Sequence, residues 1–567
     1  MSDESGTRPG RGGGASGGRG RGSSGGRGGD RSSGRGGGAP GGQRGRGGDR
    51  TGGQRERGGD RPSGRGGGAP GGQRSRTAPS QRHRRADPSR TAAHQVLRAV
   101  DGGAYANLEL PQALRRARLS GRDAAFATEL TYGTLRMRGL YDPVIAQAAD
   151  RPVERLHPDV LAVLRLGAHQ LLGMRVPEHA AADQSVALTR DVAGQGAAGL
   201  VNAVMRRISE RSREDWLTAV VPAEPPAERL AVRRSHPVWI VKALRQALVG
   251  HGAADAGDID GVLDELLEAH NTPAPVALAA RPGLSTPDEL AGTEPGRLSP
   301  VAALLGSGDP GDLVAVREGR AAVQDEGSQL LALALAAAEI APRPDGGPER
   351  WLDLCAGPGG KAGLLAALAG QQGATLVANE ISEHRADLVR QTLRPLLGDG
   401  GAGGGGAGDG GPPGPPVQVR TGDGRLVGQE EPGGYDRVLV DAPCTGLGAL
   451  RRRPDARWRR STDDLAQLGP LQRELLGSAI DATRPGGVIG YATCSPHLSE
   501  TTFVVGDLVR RRGDVEQVDA REALVGVARP GSLAVDSLGQ GPAAQLWPHT
   551  HGTDGMYLAL LRKTEQS

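Results

Sequence analysis

Residues 351–380 read WLDLCAGPGGKAGLLAALAGQQGATLVANE. An apolar run, Trp351–Cys355, enters the glycine turn Cys355-Ala356-Gly357-Pro358-Gly359-Gly360-Lys361, which opens onto the helix-forming stretch Ala362–Gly370. A second apolar run, Thr375–Asn379, ends at Glu380. Strand, turn, helix and strand in this order are the unit of a parallel α/β sheet. Glycines let the backbone come close to a ligand, and a helix start offers it free N–H groups. Glu380 stands 20 residues beyond Gly360, where a dinucleotide-type fold places the carboxylate that binds ribose hydroxyls.

The alternation continues downstream. Val417–Arg420, Arg437–Val440 and Val488–Thr493 read as further strands, with helical segments at Glu383–Leu397 and Leu465–Thr483 between them. Ser461 followed three residues later by Asp464 has the spacing of a capping box. Upstream, Leu330–Ile340 reads as an apolar helix. The expected fold class is therefore α/β, a parallel, doubly wound sheet. Gly398–Pro416 is almost pure Gly and Pro and reads as a surface insertion.

The turn lacks both the GxGxxG spacing and the GxxxxGK[ST] pattern, so it does not argue for a phosphate clamp. Asp353, Glu380, Asp423 and Asp441 are carboxylates at or just beyond successive strand ends. Four acids repel a pyrophosphate and suit a cation such as the sulfonium of S-adenosylmethionine. Asp423 also reads as a solvated loop residue.

The chain has three cysteines. Cys444, in Asp441-Ala442-Pro443-Cys444, and Cys494, in Ala492-Thr493-Cys494-Ser495, both follow strands on the face where α/β sheets present their sites. Cys355 opens the glycine turn and fits best the ordinary fate of a reduced cysteine, a small buried core residue. Two such thiols suit one difficult reaction. Pyrimidine C5 is a poor nucleophile. A thiolate adding to C6 turns the ring into an enamine that can accept a methyl group from a sulfonium, which is covalent catalysis. The thiol needs a lowered pKa or a nearby base, and N3 needs a proton or hydrogen bond as charge builds there. Asp441 is placed for the second task. These residues alone do not say which cysteine attacks.

At 567 residues the chain has room for several cores. Residues 1–90 hold 20 arginines, no lysine and seven acidic residues, a net of +13; the whole chain is +4, so the remainder carries −9. Residues 1–87 are Gly, Arg and Ser with few apolar side chains and are expected to be a disordered tail. Asp30–Arg46 and Asp60–Arg76 are near-duplicates with no repeating hydrophobic face. An Arg-Gly tract of this kind can hold RNA phosphates non-specifically; the alternative is a solubilising tail. Residues 88–225 read as helices. His157–Met174 places Val160, Leu161, Leu164, Leu171 and Leu172 at helical spacing, and Gly199–Arg207 reads as a helix with a basic end. Residues 226–325 mix short helices and strands, and 326–567 carry the α/β pattern. No run of eighteen apolar residues and no apolar leader segment appear, so neither a membrane span nor secretion is expected. Three cysteines cannot staple such a chain, and reduced thiols fit the cytoplasm. No Cys/His spacing predicts a metal site.

Taken together, Asp441–Gly446 with Ala492–Ser495 resembles the RNA cytosine-C5 methyltransferases of the RsmB/Sun type, related to the nucleolar Nop2/NSun enzymes. The turn Cys355–Lys361 is similar to their cofactor motif, Gln324–Gln329 to their approach segment, Arg452-Arg453-Pro454-Asp455 with Trp458 to a substrate-side motif, and Thr553–Tyr557 to their C-terminal strand. The helical region around Gly199–Arg207 resembles the NusB-like RNA-binding domain of bacterial members. The resemblance spans residues 88–563.

It implies a Rossmann-like S-adenosylmethionine-dependent domain behind an all-α NusB-like one. It further implies Cys494 as nucleophile, Cys444 in product release, and cofactor contacts from Cys355, Ala356, Gly357, Pro358, Gly359, Gly360, Lys361, Glu380, Arg385, Asp423 and Asp441. The implied substrate is a cytosine of ribosomal RNA, of the 16S type, splayed from its stack, with no DNA partner. Ala362 departs from the family, whose members carry Thr or Ser there, and Glu380 stands where Asp is common. A non-catalytic RNA-binding or ribosome-assembly factor is the competing class, and tRNA the competing substrate.

Overall fold

The computed structural model describes residues 86–255, 257–397 and 416–565. The expected tail at 1–87, save its last two residues, and the Gly/Pro insertion at 398–416, save its last, lie outside the described residues.

Helices from Pro88–Asp101 to Arg213–Val220 pack around one apolar core containing Leu130, Ile145, Leu164, Val201 and Met205. Local chemistry sets their ends. Asp87 accepts from Arg90 N–H at the first helix start, and Ser212 with Asp215 forms a reciprocal capping box. In helix Pro158–Leu172, Val160 and Leu164 are buried, and so is every residue from Ala162 to Gln170, while Leu161, Leu171 and Leu172 are only partly covered. Neighbours surround this helix, so no one face defines its core side.

Three further helices, Pro226–Arg233, Val238–Gly250 and Ile259–Asn271, lead to a small antiparallel sheet of order β2-β3-β1-β4. Its strands are β1 (Val276–Ala280), β2 (Thr293–Pro295), β3 (Ala302–Leu305) and β4 (Ala321–Val323). Helix Glu326–Ala337 then enters the main layer, capped by the Asp325 carboxylate.

The main sheet contains β5 (Arg350–Asp353), β6 (Thr375–Glu380), β7 (Val417–Thr421), β8 (Tyr435–Asp441), β9 (Thr483–Thr493), β10 (Val515–Val518), β11 (Ala544–Gln545) and β12 (Tyr557–Lys563). Its order is β10-β12-β9-β8-β5-β6-β7, with β11 paired to β12. The strands β7-β6-β5-β8-β9 are parallel. Helices Gly360–Gln371, Glu383–Leu393 and Thr462–Ala482 connect them, the last with the Ser461/Asp464 capping box in place. The expected parallel sheet is extended at one edge by antiparallel pairing, where β12 runs antiparallel to both β9 and β10. The C-terminal strand also begins only at Tyr557. Residues before it spend their backbone donors elsewhere: Asp554 N–H on the Asp325 carboxylate and Gly555 N–H on the Gly448 carbonyl.

The chain reverses its direction of growth between β5 and β8, the switch point where open α/β sheets leave a crevice. Register aligns the carboxyl ends there: Asp353 pairs with Leu439 on one side and Ala378 on the other, and Asp441 with Ala492.

The segment Arg451–Arg460 joins this layer to the helical bundle. Arg457 is fully buried and donates to the carbonyls of Arg136, Ser235 and His270 and to Asn271 Oδ1. Trp458 Nε1–H donates to the Leu135 carbonyl. Arg451 and Arg452 both pair with Asp325 and Asp554. Arg457 and Trp458 thus tie this layer to the helices, while Arg451 and Arg452 brace the segment on Asp325 and Asp554.

Candidate active site at the carboxyl ends of the strands

The glycine turn following β5 packs against the end of β6. Ala356 N–H donates to the Asn379 carbonyl, and Gly357 N–H donates to Glu380 Oε2 at 3.1 Å. Arg385 returns from the next helix to donate to the Gly357 carbonyl at 2.6 Å, with its guanidinium 3.4 Å from Glu380. A Cβ on Gly357 would lie 2.2 Å from Glu380 Oε2, so any side chain there displaces the carboxylate. Gly359 has φ +112° and starts helix Gly360–Gln371; a Cβ on it would press on Thr392, whose hydroxyl donates to the Pro358 carbonyl. Glu380 also accepts from Ser382 N–H, so turn, carboxylate and arginine form one rigid wall.

Lys361, on the first turn of that helix, reaches across to Asp441 at the end of β8, Nζ to Oδ2 2.7 Å. Burial works to lower the lysine pKa, but the charge and hydrogen bond of Asp441 outweigh it and the net direction is up. Asp353, at the end of β5, feels the charge of both members of this pair. Burial, then the charge of Asp441, push its carboxyl up to about 7, and its Oδ1 has no hydrogen-bond partner.

Cys444 and Cys494 come from loops after neighbouring parallel strands, and their sulfurs lie 3.4 Å apart. The pair is electrostatically unequal. The hydrogen bond with Cys444 lowers the Cys494 pKa, and the Lys361 and Arg453 charges lower it further, against the opposing effects of burial and Asp441. The Cys444 thiol is pushed well up, first by that same hydrogen bond, then by burial and by the charges of Cys494, Glu500 and Asp441. These opposite shifts favour Cys494 as the sulfur that ionises and Cys444 as the one that keeps its proton.

The site thus gathers Cys444, Cys494, Asp441, Lys361, Asp353, Glu380, Arg385 and the turn 355–360. Cys355 is half-buried, and burial followed by the charge of Asp353 pushes its thiol well up, away from reactivity. Asp423 turns aside: its carboxylate caps Arg425 N–H and is forked by the Arg425 guanidinium at 2.6 Å. Of the stretch Arg452–Trp458, Asp455 is buried, Trp458 and Arg452 are engaged as above, and only Arg453 is exposed near the sulfurs.

Sequence reasoning missed Glu500. This fully buried carboxylate accepts from Thr445 N–H, the Thr445 hydroxyl and the Ser495 hydroxyl. The only signal in the sequence was that Thr445 and Ser495 each follow a cysteine.

The family profile described as 16S rRNA methyltransferase RsmB/F matches residues 339–402 and 411–562, and that of the NusB family matches residues 87–210. A Mycobacterium tuberculosis (strain H37Rv) protein named as a methyltransferase is 48% identical over 489 residues, covering 85% of this chain and 98% of its own. The ribosomal RNA small subunit methyltransferases B of Thermus thermophilus and Pseudomonas putida are 33% and 31% identical, covering 84% and 85% of this chain and 98% and 99% of theirs. Among solved structures, the crystal structure of PH0851 is similar with TM-score 0.65 and 20% identity, over 84% of this chain and 99% of that one, a likeness of fold.

Proposed function

The chain belongs to the RsmB/F family of S-adenosylmethionine-dependent rRNA methyltransferases, and from that premise we propose that it methylates C5 of a cytosine in 16S ribosomal RNA through a covalent adduct on Cys494. The residues present fit the cofactor. The crevice pairs a glycine turn, open at Gly360, with Glu380 for ribose hydroxyls and the buried Asp353 carboxyl. When bound, S-adenosylmethionine supplies an electrophilic methyl group.

The chain's own residues do the rest. Cys494, as thiolate, adds to C6, and the electron density released makes C5 nucleophilic. Asp441, positioned by Lys361, donates a proton to N3 in its carboxylic acid form as negative charge builds there, and takes it back when the ring is restored. After C5 gains its methyl group, the C5 proton leaves to solvent water, the C5–C6 double bond reforms and the Cys494 sulfur is expelled as its thiolate. Cys444, kept protonated beside that sulfur, assists the expulsion. Arg453 faces the approaching RNA backbone. The NusB-family helices hold RNA outside the crevice, and the reaction takes place in the cytoplasm.

The observation that carries this reading is the 3.4 Å thiol pair, with its lower-pKa member nearest in charge to Lys361 and Arg453. The test is transfer of labelled methyl groups to unmodified 16S rRNA. Cys494→Ala is expected to abolish it while cofactor binding persists; undiminished turnover would overturn the mechanism. Mapping the product by bisulfite conversion reads the C5 position directly, and label on tRNA alone would overturn the substrate.

A further inference from the structure

The loops that carry Cys444 and Cys494 follow different strands, and both cysteines are free, with no disulfide joining them. A 3.4 Å separation between two sulfurs at the tips of separate loops needs a cause. One buried group supplies it. Glu500 Oε1 accepts from Thr445 N–H at 2.7 Å, and Oε2 accepts from the Thr445 hydroxyl at 2.5 Å and the Ser495 hydroxyl at 2.6 Å. The two hydroxyls are also 3.2 Å from each other. Thr445 directly follows Cys444, and Ser495 directly follows Cys494.

The carboxylate itself is held. Gln472 Nε2–H donates to the Pro443 carbonyl and reaches Glu500 Oε1 at 3.4 Å, and the Tyr491 hydroxyl donates to the Glu500 carbonyl. Pro443 precedes Cys444, so that loop is gripped on both sides of its thiol. Short hydrogen bonds, rather than a lysine or arginine, satisfy this carboxylate. That is an expensive arrangement for a buried acid unless the donors are pre-aligned.

We propose that Glu500 is the positioning residue of this site, tying the residue after each cysteine to one carboxylate and so setting the thiol–thiol hydrogen bond. This rests on the reading of Cys494 and Cys444 above. Its consequence is a division of labour between the sulfurs. Aligned by the clamp, the Cys444 thiol donates to Cys494 and favours the Cys494 thiolate. The fixed negative charge beside Cys444 opposes ionisation of that thiol and keeps its proton available.

The experiment uses the full chain and reads thiol alkylation by iodoacetamide against pH, identified by peptide mass, beside methyl transfer to 16S rRNA. Glu500→Ala is expected to move the Cys494 alkylation profile up by about one pH unit and to lower turnover roughly tenfold or more, with cofactor affinity within about twofold of the parent. Glu500→Gln keeps one acceptor and the side-chain shape while removing the charge. It is expected to restore part of the turnover and to make Cys444 alkylate faster than in the parent, a change that loosened packing would not confine to one thiol. Should Glu500→Ala not fold, Glu500→Gln carries the test alone. Parent-like alkylation of both cysteines in the folded variants would overturn the proposal. If instead Cys494→Ala proves active, the catalytic assignment fails, while alkylation of the variants still reports on the clamp.

Discussion

Lys361 Nζ and Asp441 Oδ2 lie 2.7 Å apart, bridging the glycine turn of one strand and the end of the next. This ion pair links the cofactor side of the crevice to its sulfur side. The Lys361 charge lowers the Cys494 pKa while its ammonium anchors the Asp441 carboxylate at the end of β8. Replacing Lys361 by Met is expected to raise the Cys494 pKa and to slow its alkylation at pH 7 by about tenfold, because the thiolate fraction falls by that factor. Stopped-flow or quenched alkylation of the parent and variant checks this; equal rates would remove the lysine from sulfur activation.

The two thiols titrate in opposite directions from the ordinary thiol value of 9.0. Cys494 is lowered and Cys444 is raised, so turnover should rise with pH through a limb below the ordinary thiol range. It should fall only above that range, when Cys444 loses its proton. Cys444→Ala removes the donor to Cys494. The rising limb should then move to higher pH, and a covalent protein–RNA species should accumulate on denaturing gels. A variant that turns over normally without that species would deny Cys444 its release role.

Asp353 carries a stability signature. Its folded value is about 7 against an unfolded 3.8, so the folded chain binds the extra proton. Stability from this group is fully present below about pH 4 and is lost as pH rises through about 7. Asp353→Asn is expected to flatten the melting temperature across that window and to raise it at pH 8. A parallel profile for parent and variant would contradict the buried, unpaired state of this acid.

Arg457 holds four acceptors on the helical side of the molecule with no carboxylate partner among its hydrogen bonds. Arg457→Lys keeps the charge and loses the fork. It is expected to cost about 2–4 kcal/mol, because buried carbonyls of the bundle are left without donors. Urea unfolding measures the loss, and limited proteolysis should show cleavage before the methyltransferase layer.

Gly357→Ala would bring a Cβ to 2.2 Å from Glu380 Oε2 and 2.8 Å from Arg385 Nη2. The wall around the turn must then open. Calorimetry should show S-adenosylmethionine affinity falling about tenfold or more while circular dichroism is unchanged.

Much of this was readable in the chain. The strand–turn–helix at 351–370, the period of the later strands and the Ser461/Asp464 cap are local features, decided by neighbours within a few residues. So were the two cysteines at strand ends. Local reading stopped where a residue's partner lies far along the chain. Asp423 has the right position after β7, yet its own neighbour Arg425 takes its carboxylate. Arg452 and Trp458 fit a substrate-side pattern, yet their polar atoms are taken by Asp325, Asp554 and Leu135. Glu500, read along the chain, is one acid among many.

By itself the amino-acid order determined the α/β layer, the glycine turn with Glu380, and the presence of two thiols on the productive edge, because hydrophobic period and turn chemistry act over short separations. Only the tertiary structure decided that the sulfurs meet at 3.4 Å, that their surroundings push the two thiol pKa values in opposite directions, and that a buried carboxylate grips both loops. Those outcomes depend on distance and desolvation between residues some fifty positions apart, which no window along the chain contains.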